Sequence, residues 1–391
     1  MKSRMEVAMT INYIKTQGSN FNISFVFDQG SVNELREQCG YTHLLEHCLL
    51  EMFRLEKDCT VQAYTEFDHV EFDFLFFKNN GDDIYINIFD NIKRVFTEEH
   101  IGETVLRQAK KEVLNEIKEF NPRKKMTSEF SEIISAGNVQ KIPLGEKESI
   151  ENASIETIER FKREFWNNCK ILLVAVTEID YESFISFIPD VIKEKCKQER
   201  IIDINIGNQI RYDHDKVFIK DMRQKLVCLY KYTISDIKGK LVQILSDKLI
   251  EDIILSEKQI EDIKISYKYI TLSLKYIVID IKFTEGYNSV FSILEFVEIV
   301  KRQLNHSRLE KTKSKIKFYF EQYQKNGITI QMFRLYSKQE FLYREPNIFN
   351  DFSYKKIKDI MDLITVENIL EYLSIIEKTR VMSFIEEIEN E

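Results

Sequence analysis

The apolar positions of this chain change period several times, and each change predicts a change of element. Val7 to Ile14 and Phe21 to Phe27 alternate apolar with polar side chains, which predicts strands, and Asp28-Gln29-Gly30-Ser31 punctuates their end. From Tyr41 to Leu55 the apolar positions are Leu44, Leu45, Cys48, Leu49, Met52 and Phe53, the spacing of a helix with a mostly buried face. Strand character returns over Cys59 to Tyr64 and Val70 to Phe77. Amphipathic helices are expected at Asp83 to Phe96, Ile101 to Phe120 and Ser154 to Trp166, the last with a Ser-x-Glu start. A strand at Cys169 to Val176 and a helix from Tyr181 close the first half.

Between Cys196 and Arg211 the pattern loosens into polar residues interrupted by Gly207, which puts a junction near residue 205 and predicts domains of 1–205 and 206–391. The second half repeats the order: strands at Lys216 to Ile219 and Leu226 to Thr233, a helix at Lys238 to Leu255, strands within Ile263 to Ile281, then helices to the end. The expected class is α+β, two similar domains that each cover an antiparallel-rich sheet with helices. Residue identity between the halves is too low to establish a repeat.

Composition narrows the function. A length of 391 residues exceeds what one core usually serves, and 43% hydrophobic residues with only 11 Gly and 4 Pro describe a well-packed globular chain. Lys and Arg are scattered among the acids at a net charge of −8, so there is no concentrated basic face for nucleic acid. No stretch approaches a membrane span, and Lys2 and Arg4 have no apolar run behind them, so the expected address is cytoplasmic. The six cysteines lack CxxC spacing, which predicts reduced, buried thiols.

The chemistry concentrates at His43-Leu44-Leu45-Glu46-His47. Two imidazoles at i and i+4 of a helix project from one face about a turn apart, which is metal-ligand spacing, and Glu46 between them can reach a water in an open coordination position. With six His in the chain, a chance H-x-x-E-H has odds on the order of one in a hundred. Such a site needs a third ligand. Glu116, within Glu112-Val113-Leu114-Asn115-Glu116-Ile117 on an amphipathic helix, is the best candidate; Glu112, one turn earlier, is either a carboxylate supporting a ligand His or the ligand itself. His69 reads as a polar residue at a strand edge, and a Ser-His-Asp or Cys-His site has no local signature.

At these residues the chain resembles the pitrilysin and insulinase family of inverted-motif zinc peptidases, which includes the mitochondrial processing peptidases. The resemblance extends through Phe25 to Glu34 and Gly40-Tyr41-Thr42-His43 before the motif, Val61-Gln62-Ala63-Tyr64-Thr65 after it, and Pro143-Leu144-Gly145-Glu146 through Ser154 to Trp166, most of residues 1 to 195. It implies half of a clamshell chamber. It implies Zn2+ on His43, His47 and Glu116, Glu46 as catalytic base, and Gln62-Ala63-Tyr64 as an edge strand that receives an extended peptide.

Two departures stand out. The family's further Glu, seven positions before the ligand Glu, is Ala109 here, which leaves Glu112 to provide support. The other half of such enzymes supplies an Arg and a Tyr, yet this chain has no Arg between Arg223 and Arg302, although Tyr267 and Tyr269 are present. The resemblance therefore implies a heterodimer with a zinc-free partner subunit that supplies the pair. Leader-peptide removal from a ribosomally made peptide such as a bacteriocin is the expected role; an inert assembly subunit of the same fold is the rival, and a purely structural zinc is a third reading that Glu46 disfavours.

Overall fold

The computed structural model describes residues 10–16, 20–77, 81–119, 143–196, 223–230, 234–271, 274–284, 291–326, 329–349, 354–378 and 381–385. The chain divides into two compact units, Met1–Arg211 and Tyr212–Glu391. Both are mixed helix and sheet.

In the first unit, β1 (Ile11–Lys15), β2 (Asn20–Phe27), β3 (Cys59–Thr65), β4 (Val70–Phe77) and β5 (Ile171–Thr177) form a five-stranded sheet in the order β1-β5-β2-β4-β3. Among the described residues only β1 pairs in parallel, with β5; the other pairs are antiparallel. Alternation along β2 and β4 puts Phe21, Ile23, Phe25, Phe27, Phe72, Phe74 and Phe76 into one continuous core. Burying each such ring contributes roughly 1.5–3 kcal/mol. On the opposite face Ser24 donates to Asp73 at 2.7 Å and Asn22 also donates to Asp73, tying β2 to β4 through buried polar groups.

The core is closed by α1 (Tyr41–Met52), α2 (Asp83–Thr97), α3 (Glu103–Glu119), α4 (Lys147–Asn152) and α5 (Ile155–Asn168). Period-3.6 rows such as Ile84, Ile88, Ile92 and Val95 of α2 face the sheet. Short helices at Tyr181–Phe187 and Asp190–Lys195 follow β5.

The second unit holds β6 (Arg223–Tyr230), β7 (Ile260–Thr271), β8 (Leu274–Phe283) and β9 (Val381–Ile385) in the order β7-β8-β6-β9, all antiparallel. Helices pack on this sheet, foremost Ile237–Ile254, whose Leu241, Leu245, Leu249 and Ile253 enter the core. The sequence pattern expected helices through to the end, and the structure corrects this with β9. A lone strand after several helices has no neighbour in sequence to announce it, because it pairs with β6 more than 150 residues away. The strand at Lys216 to Ile219, the start of Val7 to Ile14 and the junction near 205 lie outside the described residues.

Candidate metal centre

The metal motif lies on α1, and the start of that helix is built to one geometry. Gly40 precedes it at φ +95°, and a Cβ there would stand 2.6 Å from the Cα of Gly145, itself at φ +83°. The contact brings Pro143-Leu144-Gly145-Glu146 against α1, and the Glu146 N–H donates to the Cys39 carbonyl at 3.2 Å. The carboxylate of Glu34, fully buried, accepts from the backbone N–H groups of Gly40 at 2.8 Å and Thr42 at 2.7 Å. An acid at the helix N-terminus satisfies donors that have no intrahelical partner and complements the helix dipole.

From this start, His43 and His47 project one turn apart toward α3. His43 Nε2 and His47 Nε2 face each other at 3.2 Å. Glu116 of α3 reaches both, with Oε2 at 3.3 Å from His43 Nε2 and Oε1 at 3.4 Å from His47 Nε2. Tetrahedral zinc with ligand distances of about 2.0–2.1 Å separates its donor atoms by about 3.3 Å. The two imidazole nitrogens have about that spacing and each meets one Glu116 oxygen, so the three side chains form a triangle whose ligand atoms lie within 4.8 Å of one another, a group able to hold a metal ion.

Glu112, one turn before Glu116, faces the other ring nitrogen, with His47 Nδ1 at 3.0 Å from Glu112 Oε2. A proton on Nδ1 donated to that carboxylate leaves the lone pair of Nε2 directed at the triangle, the arrangement by which a supporting carboxylate fixes a ligand His. Gln108 Nε2 in turn donates to Glu112 at 2.7 Å. For His43, Nδ1 is buried near Leu144 without meeting full hydrogen-bond geometry.

Electrostatics follow from this packing. Burial opposes charge on His43, but the hydrogen bond to Glu116 and the nearby Glu46 outweigh it and raise the ring above its ordinary value. The hydrogen bond with His43 holds Glu116 below the usual carboxylate range, and the one with His47 does the same for Glu112.

Glu46 is 5% exposed. Its Oε2 accepts from Thr65 Oγ1 at 2.7 Å. Sequence reasoning missed both Thr65 and Glu34. The signal for Thr65 was its parity with Val61 and Ala63, which puts it on the α1 face of β3; the role of Glu34 had no local signal, since a carboxylate before a helix is ordinarily solvated.

Among the described residues β3 is the edge of its sheet. The hydrogen bond from Glu66 N–H to the His69 carbonyl at 2.8 Å sets the parity of the β3–β4 hairpin. Alternation from there directs the backbone groups of Gln62 and Tyr64 toward β4 and those of Val61, Ala63 and Thr65 toward the open edge. On the face away from α1, Tyr64 Oη donates to Gln62 Oε1 at 2.9 Å. His69 takes no part in the cluster, as its Nδ1 meets Asp68 at 2.7 Å. Ala109 is fully buried on the core side of α3. Tyr267 in the second unit donates to Asp247 at 2.6 Å, so its hydroxyl is engaged; the side chain of Tyr269 lies outside the described residues.

No protein-family model matches the chain, and no curated protein does. Solved structures do, and they give it the fold of the pitrilysin and insulinase type, the M16 peptidases. It is similar to the periplasmic protease PqqL from Escherichia coli at a TM-score of 0.76 and 14% identity over 97% of this chain, which spans 46% of PqqL. Against a putative M16-like peptidase from Alicyclobacillus acidocaldarius the TM-score is 0.62 at 13% identity, covering 96% of this chain and 95% of that one. An M16 inactive domain from Pseudomonas fluorescens gives 0.66 at 10% identity, covering 97% and 96%. Among the described residues, no helix is long and apolar enough to cross a membrane.

Proposed function

We propose that this chain is the zinc-carrying subunit of a two-part endopeptidase, with His43, His47 and Glu116 holding Zn2+ and Glu46 as general base. The observation that carries the reading is the convergence of His43 and His47, on the helix that also holds Glu46, with Glu116 of α3, one ligand atom from each lying within 4.8 Å of the others. Zinc bound there would supply Lewis acidity toward a peptide carbonyl and lower the pKa of a water molecule. Glu46 takes the proton of the attacking water and returns it to the departing amine. Glu112 orients the His47 ring, and the Leu144 segment lies against the His43 ring.

An extended peptide adds to the edge of β3 through the backbone groups of Val61, Ala63 and Thr65, while Gln62 and Tyr64 meet its side chains. Backbone pairing favours unfolded segments over a particular sequence, which suits the removal of a leader from a ribosomally made peptide such as a bacteriocin. The Arg and Tyr that would steady the developing oxyanion come from a zinc-free partner of similar size: this chain has no Arg between Arg223 and Arg302, and Tyr267 is bonded to Asp247. We assign the pair to the cytoplasm, an address that cell fractionation tests; PqqL is a periplasmic protein.

The second reading is an inert binding or assembly subunit, favoured by the burial of Ala109 where the resemblance expects a Glu. Glu46→Gln discriminates. In the peptidase reading it keeps its zinc and loses turnover by about a hundredfold or more. A purified wild-type chain without zinc supports the inert reading.

A further inference from the structure

We propose that Thr65 is a positioning residue that links the peptide strand docked on β3 to the carboxylate of Glu46; the proposal rests on the peptidase reading. Thr65 is the last residue of the edge strand, and its two halves serve different neighbours. Its side chain lies on the α1 face with those of Val61 and Ala63, and its hydroxyl donates to Glu46 Oε2 at 2.7 Å. Its backbone N–H and C=O, by the parity of the hairpin, face the open edge where a peptide would pair.

Glu46 is buried, and a buried carboxylate without fixed donors has no set orientation. Thr65 fixes one oxygen. Among the described residues no hydrogen bond reaches the other, Oε1, which makes it the oxygen available to a water's proton. A peptide paired with the Thr65 backbone restrains the residue whose hydroxyl aims the base, so docking and base orientation are joined in one residue. Hydrogen bonds to charged groups are the strong ones, and their loss is felt most where geometry governs the reaction.

The test compares Thr65→Val, which keeps the shape and loses the hydroxyl, with Thr65→Ser, which keeps the hydroxyl. Each is assayed as the zinc-loaded chain purified with its partner, on an internally quenched unstructured peptide. The valine variant is expected to lose about tenfold or more in kcat with KM and zinc content unchanged. The serine variant recovers most of the turnover. A second readout needs no turnover: urea midpoints of metal-free wild type, Thr65→Val, Glu46→Ala and the double variant are expected to be non-additive. Additive midpoints overturn the contact and the proposal. Wild-type turnover matched by Thr65→Val overturns the role of Thr65 and leaves the peptidase reading standing. Absence of turnover in the zinc-loaded wild type overturns that reading and the proposal with it.

Discussion

Replacing Glu112 by Ala isolates the support of His47 from the ligand set itself. The carboxylate lies 3.0 Å from His47 Nδ1 and is held there by Gln108. Without it the ring loses its fixed tautomer and orientation, a kind of loss worth 10- to 100-fold in metal affinity, or about 1.4–2.7 kcal/mol. The Glu112 side chain is 37% exposed, so water replaces part of what is removed. The expected loss is therefore near the lower end, about tenfold. Competition with a chromogenic zinc chelator at fixed pH and ionic strength measures it, with circular dichroism to verify the fold. Glu112→Gln, which retains a neutral acceptor, is expected to fall between wild type and Ala. Unchanged affinity in a folded Glu112→Ala refutes the support role. Abolished binding there, with binding retained in Glu116→Ala, makes Glu112 the ligand in place of Glu116.

Three further outcomes are expected. His43 is raised by Glu116 and Glu46 against the pull of burial, so its contribution to the stability of the metal-free chain is complete below its unfolded value and is lost as pH rises through the folded one. The Tm of the metal-free chain should fall over that range while apparent zinc affinity climbs, because metal binding must release the proton; a flat affinity across it contradicts this. Gly40→Ala puts a Cβ 2.6 Å from the Gly145 backbone at a positive φ, which is expected to destabilise the first unit by about 1–3 kcal/mol and lower zinc content, read by calorimetry and metal analysis. Burial raises Asp247 to about 7 despite hydrogen bonds from Tyr267 and Tyr372. Stability from this group is greatest below its unfolded value and is lost as pH rises toward about 7, so Asp247→Asn should raise the urea midpoint at pH 8 and change it little at low pH.

Much of the fold was legible because it is periodic. The row Leu44, Leu45, Cys48, Leu49 and Met52 announced α1 by its spacing, and the same spacing put His43 and His47 on one face. The structure brings both to Glu116, a carboxylate that stood out only as one of two acids a turn apart on an amphipathic helix. What escaped was non-local. β9 exists through pairing with β6, the start of α1 depends on Gly40 meeting Gly145, and Thr65 gains meaning from a hydroxyl directed at the helix before its strand. Apart from the parity that puts Thr65 on the α1 face of β3, none of these leaves a period in the chain, since each depends on which residues meet and not on how they are spaced.

Anomalous diffraction at the zinc edge, from crystals of the chain grown with zinc, tests the metal assignment most directly. One peak is expected at about 2.0–2.2 Å from His43 Nε2, His47 Nε2 and a Glu116 carboxylate oxygen. No peak within reach of those three atoms in zinc-grown crystals would contradict it.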